Sequence, residues 1–351
     1  VNDLSSIAII GGGEDLAEEI LSELLSRGYD AQDFRIFDSE VRAGEVVQVG
    51  KASFSTGLAS VEALADVDAA LFVGDGLLAR DFLPGLAEAG ALVVDATAFS
   101  RRTGCGTLVV PELNAEEITG VGDSRVYACP MPATIGLSIA MAPLHRLARV
   151  RRVTTTIFEP ASQRGPAAIQ ELSQQSVAMV SGEGIDREKF SETFAFNVRP
   201  YAAAEGGEGW AFDEQMIAQE IAELFGDPPV EVLATIVRMP IFVGAGQSVW
   251  LDLDTALPLE EVRAALREAP SILLAGEGLD ESDDAEMVRL LADAEPGPLD
   301  VAGSSAVHLA RLRQNPARPE SIGFWIVFDD QRKGVAMSVV ATFERAWREQ
   351  G

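Results

Sequence analysis

An α/β domain on a parallel, doubly wound sheet, followed by an α+β domain on a mostly antiparallel sheet, is the fold class this sequence predicts. Three observations predict it. The chain opens on a strand, a glycine turn and a helix start. Up to about residue 131, short apolar runs ending in Gly or Asp alternate with stretches of helical periodicity. After Pro130 the texture changes to longer β-branched runs separated by few helices. At 351 residues the chain is also too long for one ordinary core, so two domains are expected.

The elements follow in order. IAIIGGGEDLAEEILSELL reads as a buried strand, a turn and an amphipathic helix. FRIFD (34–38), AALFVGDG (69–76) and ALVVDAT (91–97) are further strands, with the helical LLARDFLPGLAEAG lying between the last two. Strands alternating with helices place a ligand at the strand carboxyl ends. The second region starts with the helix PATIGLSIAMAPLHRLARV, then the strands RRVTTTIFE, VEVLATIVRMPIFV and SVWLDLD. LEEVRAALREA is a helix, SIGFWIVFD a strand and RKGVAMSVVATFERAWRE the closing helix. The acidic stretch 279–300 is expected to cover surface.

Composition narrows the function. Lys and Arg number 27 against 55 Asp and Glu, a net charge of −28, which repels phosphate backbones and anionic lipid. Neither nucleic acid nor a membrane is an expected partner. Two readings of the charge stay open: a surface for a basic partner, or a solvated surface suited to high salt, which the scattered placement of the acids favours. No run of about 18 apolar residues occurs. The N-terminus reads as a strand, not a signal peptide, so a cytoplasmic protein is expected. Cys105, Cys129, His145 and His308 are the only cysteines and histidines. They form neither a disulfide framework nor a metal-ligand spacing, so no metal is expected.

The turn Gly11-Gly12-Gly13-Glu14-Asp15-Leu16-Ala17 has the Rossmann-like setting in which backbone N–H groups and a helix dipole hold a dinucleotide pyrophosphate. Ala17 meets the small-residue requirement, but Glu14 stands where the second spaced glycine belongs. A carboxylate about 5 Å from a phosphate charge costs roughly 3 kcal/mol at an effective dielectric near 20. The fold signal is therefore stronger than the cofactor signal. Asp38 ends the second strand, where an acid accepts from a ribose 2′-OH and repels a 2′-phosphate, which favours NAD over NADP. It also reads simply as an Asp ending a strand. Gly11, Gly13 and Ser39, which follows Asp38, are the candidate cofactor contacts of this region.

Six ordered segments carry a wider resemblance: LVVPELN (108–114), PLHRL (143–147), TIFEPASQRG (156–165), FAFNVRP (194–200), RMPIFVGAGQS (238–248) and WIVFDDQRKGVAMS (325–338). Together the chain resembles the aspartate-semialdehyde dehydrogenase family over nearly its whole length. The resemblance implies an NAD(P)-binding domain over 1–131, completed by the 332–351 helix. It implies a dehydrogenase-type catalytic and dimerisation domain over 132–331, and hence a homodimer. It also implies a mechanism in which a cysteine at a helix N-terminus attacks the aldehyde, a histidine moves protons, and hydride passes to NADP.

This sequence departs from that pattern at the centre. The segment matching the nucleophile reads Cys129-Pro130-Met131-Pro132-Ala133-Thr134, with Pro132 at the cysteine position. Cys129 lies three residues earlier, about 10 Å along an extended chain, and also reads as a small buried hydrophobe. The histidine position falls on Ala245 or Gln247, and a Gln side chain does not exchange protons near neutral pH. The family's active-site Gln is Glu159 here, its phosphate-site Lys is Met216 and its nicotinamide-side Asn is Ser338. Its Ser-Gly-Ala-Gly cofactor segment becomes Ser162-Gln163-Arg164-Gly165, retaining Gly165.

By contrast, Arg238 and Glu220 match the groups that hold the substrate carboxylate and amine, and Arg101 is placed to serve the phosphate side. Arg238 reads equally as an arginine bridging strands, and Glu220 as a solvated helix residue. Taken together, the resemblance is to a Usg-type paralogue lacking the catalytic cysteine. The expected role is that of a catalytically impaired dimeric scaffold or binder of a small anionic ligand, with a degraded NADP or NAD site. The alternatives are a functional NADP-dependent aspartate-semialdehyde dehydrogenase using Cys129, and different chemistry with Glu159 as general base.

Overall fold

The computed structural model describes residues 6–11, 13–74, 76–118, 125–200, 209–275 and 295–349. Gly12, most of the acidic 279–300 stretch and the side chain of Glu14 lie outside the described residues. The chain divides into two compact units, 1–131 with 335–351, and 132–334.

The first unit holds β1 (Ile7–Gly11), β2 (Phe34–Asp38), β3 (Val46–Val49), β4 (Ala52–Leu58), β5 (Ala69–Val73), β6 (Leu92–Asp95), β7 (Thr107–Leu108) and β8 (Val126–Ala128). Their order is β3-β4-β2-β1-β5-β6-β8-β7, with every pair parallel except the β3–β4 hairpin. Strand order reverses between β1 and β5, the switch point where a doubly wound sheet opens a crevice. All residues of β1 and β5 are buried, as continuous apolar runs must be when helices cover both sheet faces.

Helix α1 (Gly13–Ser26) packs one face and α2 (Leu77–Glu88) the other, while α3 (Phe99–Thr103) and α4 (Pro111–Asn114) are short. The closing helix, numbered α9 here (Met337–Glu349), joins the α1 face through Val339, Val340, Phe343 and Ala346. Each larger side chain contributes about 1.5–3 kcal/mol by leaving water. Arg27, in the turn just after α1, pins that packing, pairing with Glu23 of α1 at 2.7 Å and with Glu344 of α9 at 2.6 Å.

In the second unit are β9 (Val150–Glu159), β10 (Arg199–Pro200), β11 (Glu231–Arg238), β12 (Ala245–Leu253), β13 (Ile272–Leu274), β14 (Val307–Asn315) and β15 (Arg318–Phe328). They form one sheet ordered β10-β11-β9-β12-β15-β14-β13. The centre, β9 to β14, is antiparallel as the sequence predicts, but β11 joins β9 in parallel and β13 joins β14 in parallel. The parallel β9–β11 pair needs a long crossover, which carries α6 (Pro166–Ser181) and α7 (Phe212–Phe225).

Helix α5 (Pro132–Leu147) is the buried centre of this unit, with every residue from Thr134 to Leu144 out of solvent. Its apolar character all round is that of a core helix, and it packs on α7, α8 (Leu259–Glu268) and β15. Gly136 allows the close approach, because a Cβ there would lie 2.5 Å from the Phe328 ring. No helix of the described residues is long and apolar enough to cross a membrane.

Candidate functional site

The first turn of α5 gathers the second unit's candidates. Pro132 opens the helix, a position that suits its fixed φ and missing N–H. Its Cβ stands 2.8 Å from where a side chain on Gly334 would begin, so Gly334 is the residue that fits against it. Gln247, fully buried on β12, donates its Nε2 to the Ala133 carbonyl at 2.8 Å. Its Oε1 is buried with no hydrogen-bond partner among the described residues. Thr134, one residue further on, donates its hydroxyl to Glu220 on α7. Glu220 is thus a buried carboxylate bonded to α5, in place of the solvated helix residue that was one of its readings.

Two strands bring Glu159 and Arg238 together. They end β9 and β11, and the parallel register sets them side by side. Arg238 Nε donates to Glu159 Oε2 at 3.1 Å, with the two side chains 20% and 14% exposed. Burial pushes the Glu159 carboxyl up to about 7, opposed by the Arg164 charge and reinforced by the Asp213 and Asp330 carboxylates. The hydrogen bond from Arg238 works the other way, since it favours the ionised form.

Asp330, a residue the sequence reading does not single out, organises the segment beside this pair. It is fully buried in the turn after β15. Oδ1 accepts the Gly244 N–H at 2.8 Å, while Oδ2 accepts Ser162 Oγ at 2.8 Å, Gln163 Nε2 at 3.0 Å and Gln331 Nε2 at 2.9 Å. Burial raises its pKa above the ordinary carboxylate value, and these donors pull it back. The Ser162-Gln163-Arg164-Gly165 segment is thereby fixed to the start of β12. Gly165 itself has φ +83° and leads into α6, with nothing within 4 Å of a Cβ placed on it.

In the first unit the carboxyl ends of β1, β2, β5 and β6 carry the remaining candidates. Gly11 has φ +83°, and a Cβ on it would lie 2.5 Å from the Val73 carbonyl oxygen, so glycine is demanded by the approach of β1 to β5. Gly13 begins α1. Asp38 is buried and accepts the Ser39 N–H at 2.7 Å, closing the strand on its own next residue. Asp95 accepts the N–H of Thr97 and of Ser100, each at 2.8 Å, and so shapes the start of α3, where half-buried Arg101 sits.

Cys129 belongs to the hydrophobic cluster of this unit and is 1% exposed. Burial pushes its thiol up to about 12, and the Asp95 charge adds to that while Arg101 opposes it. A reactive thiolate requires the reverse environment. Cys105 is exposed. Burial lowers the pKa of His145, with Arg149 adding, and takes His308 down to about 4. His308 also shares a 2.8 Å hydrogen bond with Ser304, so it is a neutral, satisfied core histidine. Among the described residues no group of three or more His, Cys, Asp or Glu is placed to hold a metal.

Comparison with known proteins gives this arrangement its context. A family model for the semialdehyde dehydrogenase NAD binding domain matches residues 6–121, and one for the semialdehyde dehydrogenase dimerisation domain matches residues 141–333. The chain is 26% identical over 345 residues to an aspartate-semialdehyde dehydrogenase of Aquifex aeolicus (strain VF5), covering 98% of each chain. It is similar to the crystal structure of aspartate semialdehyde dehydrogenase II complexed with ASA from Vibrio cholerae, with TM-score 0.87, 27% identity and 98% of each chain covered. The fold alone is shared with aspartate semialdehyde dehydrogenase with NADP from Candida albicans, at TM-score 0.71 and 17% identity over 98% of this chain and 99% of that one. With both of its domains matched, the chain belongs to the aspartate-semialdehyde dehydrogenase family.

Proposed function

We propose that this chain is a catalytically impaired, Usg-type member of its family, a homodimer that holds a small anionic ligand without transforming it. The observation that carries the reading is the first turn of α5. Pro132 stands there at the position of the family's nucleophilic cysteine, and Gln247 reaches that turn to bond the Ala133 carbonyl. A proline offers no nucleophile, and an amide moves no proton near neutral pH. The alternative, a functional NADP-dependent enzyme using Cys129, draws on the full-length match to named enzymes. It meets a thiol that is buried and held up at about 12.

The NAD(P)-binding domain keeps a strand, turn and helix N-terminus of the kind that receives a pyrophosphate. In the first unit Gly11, Gly13 and Ser39 are the residues that would hold NADP or NAD, which when bound supplies a hydride acceptor; Gly165 is the second unit's own candidate. On the ribose side Asp38 Oδ1 accepts the Ser39 N–H, and the charge of Asp38 would repel a 2′-phosphate. Arg238 and Glu220 are the second unit's ligand-side groups in this reading, and Arg101 is the first unit's candidate. No metal enters it.

The test is turnover. Purified protein at micromolar concentration, with aspartate semialdehyde, phosphate and NADP or NAD, is expected to show no rate above the blank in either direction. A rate that Cys129→Ser abolishes would replace this reading with the alternative. Calorimetric titration with NADP and NAD separates an altered enzyme from a scaffold, and light scattering showing a stable monomer would contradict the dimer.

A further inference from the structure

We propose that Glu159 is an internal competitor for Arg238, so that the site admits a small carboxylate only when Glu159 is protonated or displaced. The proposal rests on reading Arg238 as the ligand-holding group. Its geometry comes from the sheet: β9 and β11 run parallel, and their registered last residues put a carboxylate directly on a guanidinium. Both side chains are half-buried, so each keeps a path to solvent while most of its hydration is gone. A ligand carboxylate bonded to Arg238 would stand beside the charge of Glu159. Glu159 engages Nε of Arg238 through Oε2.

The charged groups around Glu159 set the balance. Arg238 on β11 and Arg164 on the turn before α6 favour its ionised form; Asp213 in the first turn of α7 and Asp330 after β15 oppose it, as does burial. The result is a carboxyl held up at about 7. One pH unit to either side of such a value, the protonated share changes from about nine-tenths to about one-tenth. The competitor is therefore switched across neutral pH.

The experiment is calorimetric titration of the full-length protein with succinate at pH 6 and pH 8, with the uncharged succinamide as control. Wild type is expected to bind succinate roughly ten-fold more weakly at pH 8 than at pH 6. Glu159→Gln keeps an oxygen for the Arg238 hydrogen bond and removes only the charge. It should bind equally at both values and as tightly as wild type at pH 6. Wild-type binding that is flat with pH, or a Glu159→Gln protein no tighter than wild type at pH 8, overturns the competitor. Succinate failing to bind either protein at either pH overturns it together with the ligand role of Arg238. Turnover in the enzyme assay would remove the impaired reading and leave this result to stand or fall on the titration. The wild-type pH series needs no variant, so a poorly folding Glu159→Gln would not shelter the idea.

Discussion

Replacing Asp330 by Ala tests whether one buried carboxylate holds the site segment in place. Four donors converge on it: the Gly244 N–H, Ser162 Oγ, and the amides of Gln163 and Gln331. The two glutamines are partly exposed and can turn to water, so their loss is cheap. Gly244 and Ser162 are buried, and their donors would face an empty methyl-lined space. Hydrogen bonds to a charged group contribute about 1.5–3 kcal/mol each, so two unrecovered bonds amount to about 3–6 kcal/mol. Burial already opposes the ionised carboxylate, which reduces the net loss to about 3–4 kcal/mol. Urea unfolding at fixed protomer concentration reads it directly, since an associating protein is otherwise stabilised by mass action. A loss below about 1 kcal/mol would refute the account, showing that water replaces the carboxylate without strain. Asp330→Asn should fall between, because its amide oxygen still serves one side of the donor set.

Stability should also follow the Glu159 carboxyl. Folding raises its pKa from the ordinary 4.5 to about 7, so the folded chain binds the proton more tightly than the unfolded one. Its contribution is present in full below pH 4.5 and lost as pH rises through 7, by roughly 3 kcal/mol in all. Urea midpoints of wild type and Glu159→Gln should diverge across that window, and parallel curves would contradict it. A thiol reagent should titrate Cys105 rapidly in the native protein and Cys129 only on unfolding; rapid reaction of both would show the core around Cys129 to be open. Gly11→Ala should cost about 3 kcal/mol or more, from a left-handed backbone and a clash with the Val73 carbonyl. Thermal melts within a degree of wild type would refute that.

The sheet cores were legible because their chemistry is local. β1, β2, β5 and β6 are apolar runs stopped by Gly or Asp, and α8 and α9 show their buried stripe as helical spacing. β3, β4, β7 and β8 escaped, being short or half-exposed strands whose pattern resembles that of loops. The two parallel pairings at the flanks of the second sheet escaped for another reason. Strand direction depends on the path of the crossover, which residue types on the strand do not encode. At the site, single positions were readable one by one: Pro132, Gln247, Glu159 and Arg238 all stand out by type. Their pairings were not. That Glu159 meets Arg238 depends on register between strands 79 residues apart, and that Asp330 gathers four donors depends on three separated segments. The adjacent acids Asp329 and Asp330, closing an apolar strand, were the available signal.

Two of the changes at the site have separable consequences. With Pro132 read as standing at the nucleophile position, it bears on chemistry, because covalent catalysis without a nucleophile loses its first step whatever the ligand does. Glu159 bears on occupancy, because its charge acts on a ligand before any bond is made. Two unit charges about 4 Å apart interact by about 4 kcal/mol at an effective dielectric of 20, which is roughly a factor of 10³ in affinity. A single lost hydrogen bond is worth about 1 kcal/mol and cannot rival that. A thiol restored at position 132 would therefore face a site whose guanidinium is still engaged by Glu159. In the same way, removing the Glu159 charge would fill the site without giving it a nucleophile. On the proposed reading, binding and turnover would thus be under the control of different residues in this chain, with the carboxylate on β9 deciding the first of them.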